Sequence, residues 1–537
     1  MNRFRNFTIH AALLIATAAA VCFLRLAESR LDRTIDAEKL RFSGAVADAP
    51  PAVAFTSVAM GSFRGLLADI LWLRSENLKA KKNYFEMVQL ARWITDLQPN
   101  YSGGTAYLAW NLAYNISVTS SDYEDRWYWV NEGIRLIRDK ALVYNPDDPV
   151  LYREMAWIFF HKLGNVLDDA NLYYKNQLAI QMTAILGGGT PDWELLAAAP
   201  DTEQKFMARF PAGHPLWRAA AEAGCRNYGE LYDLFRTPTP AALPELLRAR
   251  LSEVDFAAAQ AGMRARLLKA KMRLDPAKMA EIDRRYGKMD WRVPESQAIY
   301  WATVGLEKSG GEDVQCARIV TQAMQAAFRG GKLLTLDTAG GSYIQVVPNP
   351  ALADAAYNSY VEAQKAFGSH SGSAESFRSA RINYLKDAIP LIYINGNLSK
   401  AEEFFKKLIK EDGPQKQKTL DEFVMTEFAE DVRDADVKKA SAIISGLIRR
   451  SILNLIYGDH DAAVANERLA RYIYRKYTAE NRDIKRNTLP PYARMKAGEV
   501  EECRRYLPPA MVTILNAAIA AEQTEAGREP GGGAEKK

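Results

Sequence analysis

An amphipathic helix ends at a proline in Leu90-Ala-Arg-Trp-Ile-Thr-Asp-Leu-Gln-Pro-Asn-Tyr101, and this stretch decides the fold. The same ending recurs in Lys140-Ala-Leu-Val-Tyr-Asn-Pro-Asp-Asp-Pro149. Proline has no amide donor and clashes with the preceding turn, so each helix stops there. An aromatic-rich helix begins shortly after both prolines. The rhythm predicts stacked helical hairpins, an architecture that binds other molecules more often than it carries out chemistry.

The bulk composition is that of a folded protein with several domains or one extended array. The chain has 537 residues, of which 48% are hydrophobic and 25% charged, with a net charge of +5. This length exceeds what one compact core supports. Lysine and arginine interleave with aspartate and glutamate, whereas a nucleic-acid-binding protein gathers its positive charge on one face. The composition therefore excludes nucleic acid as a partner.

The N-terminus carries a membrane signal. Met1-Asn-Arg-Phe-Arg5 is a basic flank, and the 19 residues from Asn6 to Leu24 include no Asp, Glu, Lys or Arg. A helix needs about 20 apolar residues to span a bilayer. Arg3 and Arg5 favour the cytoplasmic side. We expect residues 1–30 to anchor a single-pass bacterial inner-membrane protein whose bulk is periplasmic; the alternative is a cleavable signal and a secreted protein.

Beyond the anchor, breaks in composition divide the chain. Asp48-Ala-Pro-Pro-Ala52 interrupts regular structure. Two β-prone runs that flank an Ala-Gly-Gly turn predict a β-hairpin near 332–347. The expected segments are a tether at 31–56, an N-terminal hairpin array at 57–190, a helical middle region at 191–290, a C-terminal helical region at 291–480, and a C-terminal helix with a disordered tail at 481–537.

The hairpins resemble those of the tetratricopeptide repeat family. In that family a 34-residue helix–turn–helix unit carries an aromatic residue in its first helix and a proline at its end. The matching positions are Tyr84, Ala91, Pro99, Trp110, Pro146, Trp157 and Ala170. Pro99 and Pro146 lie 47 residues apart, so the second unit departs from the family period. Gly458, Ala463 and Ala470 repeat the small-residue signal later. The resemblance implies an all-α, right-handed superhelical solenoid.

No motif in the sequence predicts catalysis, a cofactor or a metal site. The five histidines, His161 among them, are isolated from one another, and the four cysteines form no metal-binding pair. Whether two of the three residues Cys225, Cys316 and Cys503 form a disulfide stays open. The doublets Asp147-Asp148 and Asp168-Asp169 stand where helices begin, so the helix dipole accounts for them. We therefore expect a protein that is not an enzyme.

Tryptophan is concentrated in the first three hairpins, where six of the ten fall between Trp72 and Trp157. Such aromatic residues either fill the core between helices or line a concave groove that grips a partner. Helical periodicity alone does not separate the two. The candidate groove residues are Trp72, Tyr107, Trp110, Tyr114, Trp127 and Tyr128, with Tyr101 as a further member.

The resemblance also implies a function. Members of the tetratricopeptide repeat family commonly present concave platforms to segments of partner proteins. An anchored, outward-facing member resembles a scaffold of an envelope assembly for secretion, pilus-like systems or polymer uptake. Two alternatives stay open, an accessory protein that binds glycans or polymers, and a hydrolase or transferase in residues 191–350.

Overall fold

The computed structural model describes the chain from Phe63 to Ala526 with short gaps, together with single positions between 17 and 34. The gaps are residues 166, 188–190, 237–246, 339–340, 369–370, 396, 416–418, 425, 427–436 and 482–487. Most of the predicted anchor, tether and tail therefore lie outside the described residues. Within the described part of the chain, no helix has the length and apolar character that a membrane crossing requires.

The described chain is mostly helical, which confirms the prediction of an all-α fold. The first helices are α1 (Phe63–Ala80), α2 (Tyr84–Leu97), α3 (Ser102–Trp110), α4 (Tyr123–Arg135), α5 (Pro149–Trp157) and α6 (Asn171–Leu186). The middle helices are α7 (Trp193–Ala197), α8 (Glu203–Arg209), α9 (Pro215–Glu222), α10 (Tyr228–Arg236), α11 (Glu253–Leu267) and α12 (Pro276–Tyr286). The later helices are α13 (Pro294–Lys308), α14 (Val314–Gly330), α15 (Ala353–Ala366), α16 (Ser371–Ile394), α17 (Leu398–Asp412), α18 (Val437–Ile456), α19 (His460–Glu480), α20 (Tyr492–Tyr506) and α21 (Pro509–Ala526).

Several helices change to a π-helical turn at their C-terminal end. The π-helical segments are π1 (Asn111–Ile116), π2 (Leu136–Ala141), π3 (Ile158–Leu163) and π4 (Leu268–Met272), which follow α3, α4, α5 and α11. Such turns are rare in proteins and recur at functional sites. The apolar periodicity of the sequence did not predict them.

The chain divides into two compact units. Unit 1 extends to Leu108 and includes Asp139–Asp147, and unit 2 comprises Ala109–Arg138 and the chain from Asp148 onward. The sequence-based domain boundaries and the solenoid arrangement stay predictions.

Hydrogen bonds within unit 1 join the two proline-terminated stretches that decide the fold. Asp96 accepts hydrogen bonds from Lys140 Nζ, at 2.6 and 2.7 Å from its two oxygens, and from the hydroxyl of Tyr144, at 3.0 Å. Asn145 Nδ2 donates to the carbonyl oxygen of Pro99 at 2.5 Å. The helix α1 packs against α2 in the same unit. The turn at Pro99 is therefore fixed by the segment that precedes Pro146.

Unit 2 is built from packed helix pairs, such as α13 with α14, α16 with α17 and α18 with α19. Small residues let these helices approach closely. A Cβ atom on Gly305 would lie 2.9 Å from Cys316 Sγ and 3.0 Å from Tyr152 Cβ. Gly458 has a φ of +76° at the turn between α18 and α19, a conformation that glycine adopts readily. Ala463 and Ala470 are buried behind it, as their spacing predicts.

The predicted β-hairpin is present in unit 2. Strands β1 (Lys332–Thr338) and β2 (Gly341–Val347) pair antiparallel, with Lys332 opposite Val347. The strands extend beyond the runs that the sequence marked, because pairing continues to Thr338 opposite Gly341.

None of the four cysteines forms a disulfide, which settles the question that the sequence left open. Cys225, Cys316 and Cys503 are buried, and burial raises the pKa of Cys316 to about 12. Because the thiolate is the reactive form, these three thiols should resist alkylation. We expect iodoacetamide to leave Cys225, Cys316 and Cys503 unlabelled in the native protein and to label all three after unfolding, as read by mass spectrometry. Fast native labelling of Cys316 would contradict its buried position.

Candidate functional site

The six candidate groove residues belong to four different ring contacts. In unit 1, the rings of Trp72 and Tyr107 lie 6.0 Å apart between centroids. In unit 2, Trp110 stacks on Tyr114 at 5.7 Å. The other two contacts pair Trp127 with Tyr174 at 6.0 Å and Tyr128 with Trp129 at 5.0 Å.

Exposure separates these residues further. Trp127 is only 8% exposed, so it fills the core and offers little surface to a ligand. Tyr107, Trp110 and Tyr128 are each at least 38% exposed. The assignment of a binding role to these residues stays a prediction, and most of them belong to one of two aromatic clusters.

The first surface is an open cleft in unit 1, which we call the aromatic cleft. Its volume is about 1030 Å³. Helix α1, the turn at Pro99 and the first turns of α3 form its walls. Its lining consists of Gly65, Asp69, Trp72, Gln98, Pro99, Asn100, Tyr101, Gly103, Gly104 and Tyr107. The cleft therefore brings together Trp72, Tyr107 and Tyr101 with polar groups that the sequence analysis did not single out.

Gly104 shapes the aromatic cleft because it has no side chain. A Cβ atom at this position would overlap the ring of Tyr101 and would lie 3.2 Å from Trp72 Cζ2. The Tyr101 ring can therefore lie against bare helix backbone, although 56% of this residue is exposed. Only the coordinates identify Gly104, since the sequence places it in an ordinary Gly-Gly pair at a helix start.

The chemistry of the aromatic cleft suits a ligand with both apolar and polar groups. Three aromatic rings supply contact area, and Asp69, Gln98 and Asn100 lie among the lining residues as hydrogen-bonding groups. Aromatic surface with a few polar groups is the usual composition of a ligand site. Buried tyrosine and tryptophan anchors dominate the affinity of most protein interfaces.

The second surface is a row of rings in unit 2, which we call the aromatic row: Trp110, Tyr114, His161 and Trp157. The Tyr114 and His161 centroids are 5.7 Å apart, and His161 stacks on Trp157 at 4.6 Å. Tyr114 lies in π1 and His161 in π3. Tyr114 Oη and His161 Nδ1 are buried and have no hydrogen-bond partner among the described residues.

His161 gives the aromatic row a pH dependence. Burial, and then the positive charge of Lys162, lower the pKa of this imidazole. The unfolded chain therefore binds a proton here that the folded protein excludes, and stability falls as the pH drops below about 6.5. We expect His161→Phe to lose less unfolding free energy than the wild type between about pH 7.5 and pH 5.5. Urea titrations measure this, with exposed His460→Phe as the control; equal losses in the wild type and His161→Phe would contradict it.

Beside the row lies a buried ion pair. Lys162 Nζ donates to Asp168 Oδ2 at 2.5 Å, and Arg126 contacts Asp168 Oδ1 at 3.2 Å. Of the two acidic doublets that the sequence places at helix starts, Asp148 caps α5 and accepts a hydrogen bond from Val150 N at 2.9 Å. Asp168 accepts from Ala170 N but is mainly the partner of two cations.

The described residues include no group of three or more side chains placed to hold a metal ion. No protein-family model, curated protein or solved structure matches the chain.

Proposed function

We propose that this protein is a membrane-anchored, periplasmic scaffold with tetratricopeptide-like hairpins, which holds a segment of a partner protein in a cell-envelope assembly. The aromatic cleft of unit 1 is the observation that carries the proposal. It exposes Trp72, Tyr101 and Tyr107 on one open concave surface. Monomeric proteins rarely expose such rings together without a binding role.

The base of the aromatic cleft is held in place, which favours binding over flexibility. Thr95 Oγ1 lies 3.3 Å from Thr105 Oγ1 and donates to Ala91 O at 2.8 Å, so α2 and α3 are joined at the turn. Asp96 and Pro99 are bound to the segment Lys140–Asn145. A ligand that binds a preformed surface loses less conformational freedom on the protein side.

The location in the envelope depends on the N-terminal sequence. The basic flank with Arg3 and Arg5, followed by the charge-free run from Asn6 to Leu24, has the charge asymmetry of an anchor that leaves the chain outside the cytoplasm.

A second candidate function is the binding of a glycan. The polar side chains of Asp69, Gln98 and Asn100 border the same rings, and hydrogen bonds beside aromatic faces suit a sugar as well as a peptide. This alternative places the ligand in the same cleft, so the nature of the captured ligand decides between the two.

The test is affinity purification of the full-length protein in mild detergent, with mass spectrometry of the proteins that it retains. We expect Trp72→Ala and Tyr101→Ala each to weaken partner binding about 30-fold, which corresponds to an interface anchor of about 2 kcal/mol. Trp93→Ala is the matched control, because Trp93 is 49% exposed in unit 1 but does not line the cleft.

The outcomes separate the proposals. Retention of a specific protein by the wild type and the control, but not by the two cleft variants, supports the scaffold. Retention of a polysaccharide with the same dependence on Trp72 and Tyr101 favours the glycan alternative. If all variants retain the same partners as the wild type, the cleft is not the binding site.

A further inference from the structure

A second cavity lies in unit 2, far along the sequence from the aromatic cleft, and we call it the polar cavity. Its volume is about 780 Å³, within the usual size range of small-molecule sites, about 300–1,000 Å³. The base of the β-hairpin, the end of α16, the start of α17 and the facing sides of α18 and α19 enclose it. Its polar lining includes Lys332, Asn395, Asn397, Ser399, Arg450, Asn454, Asp459, Asp461, Asn466 and Arg468.

Two buried asparagines line the polar cavity, and one of them, Asn466, has an incomplete set of hydrogen bonds. Asn466 is 4% exposed; its Nδ2 donates to Ala462 O at 2.7 Å, and its Oδ1 accepts no hydrogen bond from the described residues. Asn454 is 3% exposed and lines the same cavity. A buried amide oxygen without a partner costs free energy, so Asn466 favours a molecule in the cavity that donates a hydrogen bond to it.

The charges around the polar cavity favour an anion. Lys332, Arg450 and Arg468 are exposed at its rim, and none forms an ion pair with another described residue. The N-termini of α17 and α19 also border it, through their capping residues Asn397 and Asp459. Each N-terminus carries a partial positive charge, and the two caps already accept hydrogen bonds from Lys400 N and Ala462 N.

Acceptors at the polar cavity restrict the ligand further. Asp459 already accepts from Ala462 N and Asp461 is exposed, whereas the buried Asn466 Oδ1 remains as an acceptor without a donor among the described residues. A bare anion offers no donor, but a hydroxylated anion satisfies both the cations and the acceptors. We propose that the polar cavity binds a small hydroxylated anion, a sugar phosphate or sugar acid, either free or as the end unit of an anionic glycan.

Isothermal titration calorimetry on the full-length protein in detergent tests the proposal. The probes are glucose 6-phosphate and glucuronate, with glucose and inorganic phosphate as the comparison ligands. We expect at least one sugar anion to bind saturably and at least tenfold more tightly than either comparison ligand. A short oligoglucuronate distinguishes the sources, because tighter binding than the monomer indicates a glycan end and equal binding a free metabolite.

Variants connect the binding to the polar cavity. We expect Arg450→Gln to weaken binding of the sugar anion about tenfold. Asn454→Leu should also weaken binding, since it replaces a polar group in the lining of the cavity with an apolar one of similar size. Arg218→Gln, the same charge change on an exposed residue of α9, should leave binding unchanged.

Three results would overturn the proposal. One is the absence of saturable binding for both sugar anions. Another is equal binding of inorganic phosphate, which would indicate a simple anion site. The third is normal binding by both Arg450→Gln and Asn454→Leu. Because the aromatic cleft contributes no residue here, each result leaves the scaffold proposal untouched.

Discussion

Asp168→Ala is expected to lower the free energy of unfolding by about 3–5 kcal/mol, because it removes one partner of a buried ion pair. Lys162 is 4% exposed and Asp168 is 9% exposed, so the two charges have little access to water. Asp168 also accepts hydrogen bonds from Ala170 N at 2.9 Å and from the Tyr174 hydroxyl at 3.3 Å. The substitution leaves the buried Lys162 and the partly buried Arg126 without their shared carboxylate.

Urea unfolding at neutral pH measures this loss, and Asp169→Ala is the matched control. Asp169 is the exposed neighbour in the same doublet. Its removal should change the free energy of unfolding by no more than about 0.5 kcal/mol. Equal effects of the two substitutions would mean that the ion pair does not form in solution.

The pH dependence gives an independent check on the same pair. Burial alone raises the pKa of Asp168, but hydrogen bonds from Lys162 and Ala170, with the charges of Lys162 and Arg126, outweigh it and lower the pKa. The ionised carboxylate thus stabilises the folded state at any pH above its unfolded pKa of about 3.9. This stabilisation is lost as the pH falls through the folded pKa. Asp168→Ala should lack that acid-dependent component.

The double variant Lys162→Met/Asp168→Leu tests whether the cost arises from an isolated charge. Apolar side chains of similar volume often replace a buried ion pair with little loss. We expect the double variant to be more stable than Asp168→Ala, which a double-mutant cycle quantifies. A sum of two independent losses would instead indicate that each residue acts through separate contacts.

The fold was predictable where the signal is local. Helix α2 ends at Leu97, just before Pro99, and the short helical turn Leu142–Tyr144 ends just before Pro146. Glycine beside β-prone runs placed the hairpin from Lys332 to Val347. These features depend on backbone restrictions of single residues, which a sequence displays directly.

The candidate site was predictable only in part, because its remaining features depend on distant contacts. The tryptophan density pointed to Trp72 and Tyr107, and both line the aromatic cleft. The π-helical turns shift the helix register, so a periodicity of 3.6 residues could not place Tyr114 beside His161. Asp168 has its main partner six residues earlier across a turn, a spacing that matches no helical pattern.

Gly104→Ala should separate binding from stability, and it is the sharpest test of the aromatic cleft. The added methyl group would overlap the ring of Tyr101, which must turn away from its place against α3. The ring is the end of a side chain that is 56% exposed, so this movement costs little. Alanine is also a better helix former than glycine by about 0.5–1 kcal/mol.

We therefore expect Gly104→Ala to fold at least as stably as the wild type and to weaken partner binding about tenfold or more, as displacement of one aromatic anchor implies. Gly65→Ala is the matched control, because Gly65 lines the same cleft but an added Cβ would meet no atom within 4 Å. Thermal unfolding measures stability, and quantitative affinity purification measures binding. If Gly104→Ala retains the partner as well as Gly65→Ala does, the position of the Tyr101 ring is irrelevant to binding. The cleft would then have to act through Trp72 and Tyr107 alone.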